Sequence, residues 1–180
     1  GGVSSASLFS NTAVNDNIFH NVVCTRTNQT GEVSLYIDGV LESNIVASNN
    51  IYSITNNNPV YLGAIMSGGD SFDGLINDFS YWNKALTQSE IQQYMSCPPT
   101  GNEAGLVGYW NFNEGTGSTV TDLTSNGNNG TINGASWSTQ TPNQYCNNCT
   151  ATDSVVVNVI PSPTIDLGAD TTLICDGTSE

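Results

Sequence analysis

Basic residues are almost absent from the sequence. Two of its 180 residues, Arg26 and Lys84, are Lys or Arg, against sixteen Asp and Glu, so the formal net charge is −14. A chain with this charge repels the phosphates of nucleic acids and the anionic surfaces of membranes. We therefore expect no nucleic-acid partner. Counterions screen the self-repulsion in a salty or calcium-containing medium, which favours an extracellular setting.

Long apolar runs are also absent. None approaches the roughly 18 residues that a membrane-spanning helix needs, so we expect no membrane insertion. The sequence begins with Gly1 rather than Met and stops soon after a strand-like run, and we interpret it as a piece of a longer polypeptide. Its uncharged polar residues are mostly Asn, Ser, Thr and Gly, a composition typical of all-β surface proteins with polar loops.

Catalytic motifs are missing as well. The sequence has no Gly-x-Ser-x-Gly elbow, no Walker motif and no dinucleotide-binding fingerprint. The single histidine, His20, accompanies no Ser or Cys in a recognisable nucleophile motif. We predict no catalytic residues and a protein that is not an enzyme.

Three local sequence motifs predict strands and one helix. Val33–Ile37 and Val40–Ser43 flank Asp38-Gly39, the pair that suits a type I′ hairpin turn. Further along, loose alternation from Leu75 to Trp82 predicts a strand with one buried face. Immediately afterwards, Thr87-Gln88-Ser89-Glu90 has the spacing of a capping box, which predicts the start of one short helix.

These motifs lie in the order of a known family. The pattern F-D-G-x-I-x-D-F-x-x-W-N-x-A-L, followed by T-x-x-E-I, resembles the C-terminal end of a laminin-G-like jelly roll of the concanavalin-A-like lectin and glucanase group. The resemblance covers most of residues 17–96. It implies an all-β, two-sheet antiparallel sandwich with one short helix, which binds glycans or proteins, often with calcium. Glucanases of this group carry an E-x-D-x-x-E strand motif, which the sequence lacks.

A composition break at Cys97-Pro98-Pro99 ends the helix, because proline cannot continue it. Residues 104–140 then resemble the N-terminal start of the same family. The resemblance implies that first and last strands are neighbours, so Leu106–Phe112 is expected to pair with Leu75–Trp82. We expect this pairing to complete one sandwich over residues 1–145, with 1–96 as its C-terminal portion.

The alternative is that residues 104–140 begin a second, truncated copy. Completion is favoured because an isolated hairpin is marginal in water. The rest of the chain differs in character: residues 146–163 resemble the last strand of a bacterial immunoglobulin-like repeat, and residues 164–180 the start of the next one. The fold class is therefore all-β with a partial immunoglobulin-like tail.

The resemblance predicts a function more loosely than a fold. It implies a carbohydrate-binding or adhesion module of a large secreted or cell-surface bacterial protein, whose partner is a glycan or an extracellular protein. The alternatives are a structural spacer without a ligand and a binding module appended to a polysaccharide-degrading enzyme.

A calcium site is one candidate feature. Asp70, Asp73 and Asp78 lie within nine residues, and Ca²⁺ takes about six to eight oxygen ligands. If the two strands pair as expected, Asn113 and Glu114 approach the same sheet edge and could add ligands. The alternative is that these aspartates are ordinary turn and capping residues. Among loop residues, Tyr52 and Asn57 are the candidates for direct ligand contact.

Five cysteines are many for a chain of this composition. Cys97 and Cys146 bracket residues 104–140, and we expect a disulfide between them. Cys149 and Cys175 belong to the immunoglobulin-like segments, where the resemblance implies partners outside the chain. Cys24 shares a register with Val22, and we expect it to be a buried free thiol.

Overall fold

The computed structural model describes residues 7–46, 59–64, 71–144 and 146. In these residues it contains one helix, α1 (Gln88–Ser96), and the strands β1 (Val22–Arg26), β2 (Glu32–Ile37), β3 (Val40–Val46), β4 (Phe79–Trp82), β5 (Leu106–Trp110), β6 (Thr119–Val120) and β7 (Gly130–Thr131). They form three antiparallel sheets, β1-β2-β3, β4-β5 and β6-β7. The predicted all-β class with one short helix is confirmed and is consistent with a jelly-roll sandwich. The immunoglobulin-like tail lies outside the described residues, apart from Cys146.

The β2–β3 hairpin forms at the predicted turn. Asp38 and Gly39 both have left-handed backbones, with φ of 50° and 73°, as a type I′ turn requires. The turn also binds the helix, because the side chains of Gln88 and Gln92 donate hydrogen bonds to the Gly39 carbonyl over 2.9 and 3.1 Å. A Cβ at Gly39 would lie 2.7 Å from Gln92 Cγ. Glycine is therefore required for both the turn and the helix contact.

Helix α1 begins with the predicted capping box. Thr87 Oγ1 accepts from the Glu90 backbone N–H, and Glu90 Oε2 accepts from the Thr87 backbone N–H over 2.8 Å. Lys84 donates to the other Glu90 oxygen over 2.7 Å. The hydrogen bond from Lys84, followed by those from Thr87, lowers the pKa of Glu90 to about 2. At its centre, Ile91 is fully buried and fixes the apolar face of the helix.

The expected pairing between the two parts of the chain is observed. β4 and β5 are antiparallel, with Phe79 opposite Trp110 and Trp82 opposite Leu106. The Phe79 and Trp110 rings stack with their centroids 5.6 Å apart. The pairing joins segments on either side of the proline break. The domain boundaries expected from the sequence stay predictions.

The β4 strand is shorter than the sequence predicts. It begins at Phe79 rather than near Leu75, and Leu75 and Ile76 are exposed. The reason is Asp78, whose left-handed backbone (φ 51°) interrupts the extended conformation just before the strand.

The expectation of a buried Cys24 is wrong, because its side chain is exposed. Val22, on the same face of β1, is 57% exposed, whereas Thr25 on the opposite face and its cross-strand neighbour Ser34 are buried. Since β1 carries apolar residues on both faces, the alternation in its sequence does not fix which face is covered.

Candidate functional site

A buried carboxylate organises the loop after β5. Asp122 is 5% exposed, and its Oδ1 accepts from the backbone N–H groups of Tyr109 (3.1 Å) and Thr124 (2.9 Å) and from the Thr124 hydroxyl (2.8 Å). Its Oδ2 accepts from the Asn128 backbone N–H over 2.8 Å. Burial alone raises the pKa of Asp122, but these hydrogen bonds outweigh it and lower the pKa below its ordinary value. Asp122 therefore stays ionised and fixes the backbone of β5.

Tyr109 in turn positions a second carboxylate. Its hydroxyl donates to Asp78 Oδ1 over 2.6 Å, and the Gln144 amide donates to Asp78 Oδ2 over 2.9 Å. Burial, and then the hydrogen bond to Asp78, raise the pKa of Tyr109, so the phenol keeps its proton and remains a donor. The two oxygens of the Asp78 carboxylate are thus held by Tyr109 of β5 and by Gln144, which lies near the end of the described chain.

These groups lie in a cleft of about 310 Å³, at the small end of the range of about 300–1,000 Å³ typical of small-molecule sites. Its lining is dominated by amides, with one carboxylate, one phenol and two prolines: Asn77, Asp78, Pro98, Tyr109, Asn111, Asn113, Thr141, Pro142 and Gln144. Side-chain amides both donate and accept hydrogen bonds. We call this the amide cleft.

The predicted disulfide joins two parts of the cleft lining. Cys97 is bonded to Cys146, with their Cα atoms 4.4 Å apart. Cys97 directly precedes the cleft residue Pro98, and Cys146 lies two residues after Gln144. The bond therefore ties segment 141–144 to the end of the helix.

The structure brings two of the predicted metal ligands together. Asp78 and Asn113 both line the amide cleft. Asp73 is exposed and is not part of the lining, and Glu114 Oε1 instead accepts from the Thr121 backbone N–H over 2.7 Å. The predicted ligand Asp70 and the predicted ligand-contact residues Tyr52 and Asn57 lie outside the described residues.

Calcium binding stays a prediction. Two side chains are fewer than the six to eight oxygens that Ca²⁺ takes, and both Asp78 oxygens already accept hydrogen bonds from the protein. Within the described residues, no group of three or more His, Cys, Asp or Glu side chains is arranged to hold a metal ion. The residues in place do not by themselves fit the ion.

The sequence offers Tyr109 only as one of several aromatic candidates for sugar contact, and it does not single out several other cleft residues. Tyr109 and Asn111 are two residues apart, so strand periodicity could have placed them on one face once the β4–β5 pairing was assumed. Gln144 lies two residues before Cys146, and the expected disulfide could have brought it to the same region. No local signal in the sequence indicates that Asn77 or Thr141 belongs there.

A second cleft is lined in part by the same segment, residues 141–144. Its volume is about 440 Å³, and it is lined by Asn17, Ile18, Phe19, Thr141, Pro142 and Asn143. Thr141 and Pro142 line both clefts. We call the second one the Phe19 cleft.

A histidine holds the segment that forms one side of the Phe19 cleft. The His20 side chain is 8% exposed, with Nε2 3.0 Å from Asp16 Oδ1 and Nδ1 2.7 Å from Asp38 Oδ2. Asp38 also accepts from the Asn21 backbone N–H over 2.9 Å. Both carboxylates can only accept hydrogen bonds, so both ring nitrogens of His20 must donate. Only the protonated imidazolium carries a hydrogen on each nitrogen. This His20 clamp fastens residues 16–21 to the hairpin turn.

The His20 clamp predicts a pH-dependent stability. The hydrogen bond that His20 donates to Asp38, and then the one that it donates to Asp16, raise the pKa of His20 above its ordinary value of 6.5. The stabilisation is fully present below the unfolded-state pKa and is lost as the pH rises through the higher folded-state pKa. We expect the difference in melting temperature between the wild type and His20→Gln to be larger at pH 6 than at pH 9, as measured by circular dichroism. A difference that does not change with pH would contradict the clamp.

Comparisons with known proteins agree with this fold. A sequence model described as Laminin_G_3, of the concanavalin A-like lectin/glucanases superfamily, matches residues 1–92. A solved structure of a candidate carbohydrate-binding protein from Bacteroides ovatus superimposes with a TM-score of 0.56 at 20% identity, over 68% of this chain and 36% of that one. That likeness shows a shared fold.

Two further comparisons add no argument. A fragment of an S-layer domain-containing protein from Clostridium thermocellum gives a TM-score of 0.40 at 21% identity, over 46% of this chain and 42% of that one. The chain thus spans well under half the length of either structure. No curated protein matches it.

The part of the chain that the structure describes contains no helix of the length and apolar character needed to cross a membrane. Its antiparallel β architecture and its capped helix after β4 agree with the family match. Since that match covers just over half of the 180 residues, the chain belongs to the Laminin_G_3 family of the concanavalin A-like lectin/glucanases superfamily.

Proposed function

We propose that the protein is a non-catalytic carbohydrate-binding module of a secreted or cell-surface protein, and that the amide cleft is its sugar site. The observation that carries the proposal is the Asp78 carboxylate, which Tyr109 and Gln144 hold in a cleft that three asparagines also line. The family, and the fold shared with a candidate carbohydrate-binding protein, support the same function.

The lining suits the hydroxyl groups of a sugar. Each sugar hydroxyl can donate one hydrogen bond and accept others, and Asn111 and Asn113 offer both partners from one side chain. Asp78 offers only acceptors, with lone pairs left beyond its two protein donors. Because Tyr109 and Gln144 already fix this carboxylate, little side-chain entropy is lost when a ligand binds.

The arrangement of the carboxylates supports binding without hydrolysis. Glycoside hydrolysis generally uses two carboxyl groups that flank the bond, about 5 to 9.5 Å apart. Among the residues that line the amide cleft, Asp78 is the one carboxylate. The nearby Asp122 is buried and its oxygens accept four hydrogen bonds from the protein. The proposal therefore includes sugar recognition but no acid–base pair.

The proposal predicts that one exposed amide controls affinity. Asn113→Ala should weaken binding of the best glycan by about tenfold, because about 1–1.5 kcal/mol of hydrogen bonding is lost. A glycan array on the full chain would identify the ligand, and calorimetry would measure the loss. The matched control is Asn133→Ala, since Asn133 is exposed and lines neither cleft.

Running the array in calcium and again in a chelator tests the metal separately. Binding that survives the chelator and falls in Asn113→Ala supports the amide cleft. Binding that the chelator abolishes would contradict a sugar site built from the side chains of the amide cleft alone. An array on which no glycan binds in either condition would overturn the proposal in favour of a spacer or a protein ligand.

A further inference from the structure

The two clefts share one short segment of their lining. Thr141 and Pro142 contribute to the lining of both, with Gln144 on the side of the amide cleft and Asn143 on the side of the Phe19 cleft. Because Thr141 and Pro142 line both clefts, a ligand longer than one ring can reach from the amide cleft to the Phe19 cleft across them.

The Phe19 cleft has a different chemical character from its neighbour. Ile18 is 65% exposed, and together with Phe19 and Pro142 it gives the cleft an apolar surface. Asn17 and Asn143 add amides. A pyranose ring has an apolar face of C–H groups and a rim of hydroxyls, so apolar contact with amides beside it matches a sugar ring.

The Phe19 cleft is also held in shape before any ligand arrives. Asn17 has a left-handed backbone, with φ of 70°. The flanking residues Asp16 and His20 are joined by the His20 clamp. The exposed Ile18 and the half-buried Phe19 lie on this fastened segment, so they lose little conformational entropy on binding. This favours a binding surface over a loose loop.

We propose that the Phe19 cleft is a further subsite, so that the protein recognises a neutral oligosaccharide that crosses segment 141–143 rather than a single sugar. The proposal rests on the proposed function, because it extends the ligand of the amide cleft. In it, one sugar unit takes hydrogen bonds from the amide cleft and a neighbouring unit lies against Ile18 and Phe19.

Charge selects for neutral glycans. The amide cleft contains Asp78, and Asp16, beside the Phe19 cleft, has a side chain that is 45% exposed. Neither Lys nor Arg is part of the lining of either cleft, and the whole chain carries −14. Uronic acid or sulfated chains would therefore meet repulsion without a compensating cation.

Calorimetry with sugars of different length tests the proposal. The probes are glucose, mannose and xylose, their β-1,4-linked tetrasaccharides, and tetragalacturonic acid as the acidic chain, each titrated into the full chain. We expect at least one neutral tetrasaccharide to bind about tenfold or more tightly than its monosaccharide, with tetragalacturonic acid binding at least about tenfold more weakly than that tetrasaccharide.

Two variants test whether the higher affinity for a tetrasaccharide than for its monosaccharide comes from the Phe19 cleft. Phe19→Ala and Ile18→Ala should each reduce tetrasaccharide affinity by about fivefold to tenfold and leave monosaccharide affinity unchanged. Val14→Ala is the matched control, since Val14 is exposed and lines neither cleft. Ile18→Ala keeps the test valid if Phe19→Ala fails to fold.

The outcomes separate the two proposals. Equal affinity for one sugar and four, or wild-type affinity in both Phe19→Ala and Ile18→Ala, would overturn the subsite while the amide cleft stands. Equal binding of tetragalacturonic acid and the neutral tetrasaccharide would overturn the selection by charge. Absence of binding to every probe, after an array without a hit, would overturn the proposed function and the subsite with it.

Discussion

Asp122→Ala is expected to destabilise the fold by about 4 kcal/mol, because each buried donor that loses its acceptor costs about 1–3 kcal/mol. The substitution removes the acceptor of four hydrogen bonds, from the Tyr109, Thr124 and Asn128 backbones and the Thr124 hydroxyl. Urea unfolding followed by circular dichroism measures the free energy directly. Because Tyr109 positions Asp78, the same variant should also weaken glycan binding in the amide cleft.

Asp73→Ala is the matched control for this substitution. Asp73 is exposed, and exposed substitutions usually change stability by less than about 0.5 kcal/mol. If Asp122→Ala and Asp73→Ala unfolded at the same urea concentration, the buried carboxylate would not organise the loop after β5. If Asp122→Ala lowered the stability but its folded fraction bound glycan with full affinity, Asp122 would not contribute to the binding site.

Removing the disulfide is expected to have an effect of similar size. The bond joins residues with a sequence separation of 49, and closing a loop of that length lowers the entropy of the unfolded chain by an equivalent of about 4 kcal/mol. Replacing both Cys97 and Cys146 with serine should lower the free energy of unfolding by about that amount. Differential scanning calorimetry of the double variant against the wild type measures the loss.

The disulfide prediction has a functional part as well. Segment 141–144 contributes lining residues to both clefts and is tied to the helix end only two residues after Gln144. Without the bond, ordering this segment adds to the cost of binding, so glycan affinity should fall. Cys24→Ser is the control, since Cys24 is an exposed free thiol. An unchanged affinity in the double serine variant would mean that the disulfide does not hold the cleft together.

Sequence reasoning succeeded where a local rule decides the structure. The Asp38-Gly39 turn and the Thr87 capping box each depend on residues within four positions of one another, and both formed as predicted. The Cys97–Cys146 bond also followed from a simple premise, because the two residues bracket residues 104–140 and a bond between them would tie this insert to the sandwich.

The amide cleft was predictable only in part, because its residues meet through distant contacts. Asp78 and Asn113 were candidates by residue type, but the sequence offered Asp78 as a calcium ligand or a capping residue and not as a carboxylate held by Tyr109 and Gln144. Asp78 and Gln144 are 66 residues apart, and no periodicity links them. Similarly, the sequence does not indicate which face of β1 is exposed, because apolar residues lie on both faces of that strand.

The most direct test of the sugar site is nuclear magnetic resonance with a ¹⁵N-labelled chain, titrated with cellotetraose, mannotetraose and xylotetraose. Side-chain amide signals of asparagine and glutamine report directly on the groups proposed to bind. We predict that the signals of Asn111, Asn113 and Gln144 shift in a saturable way, while that of the exposed Asn133 stays in place. Saturable shifts confined to residues outside both clefts would contradict the account.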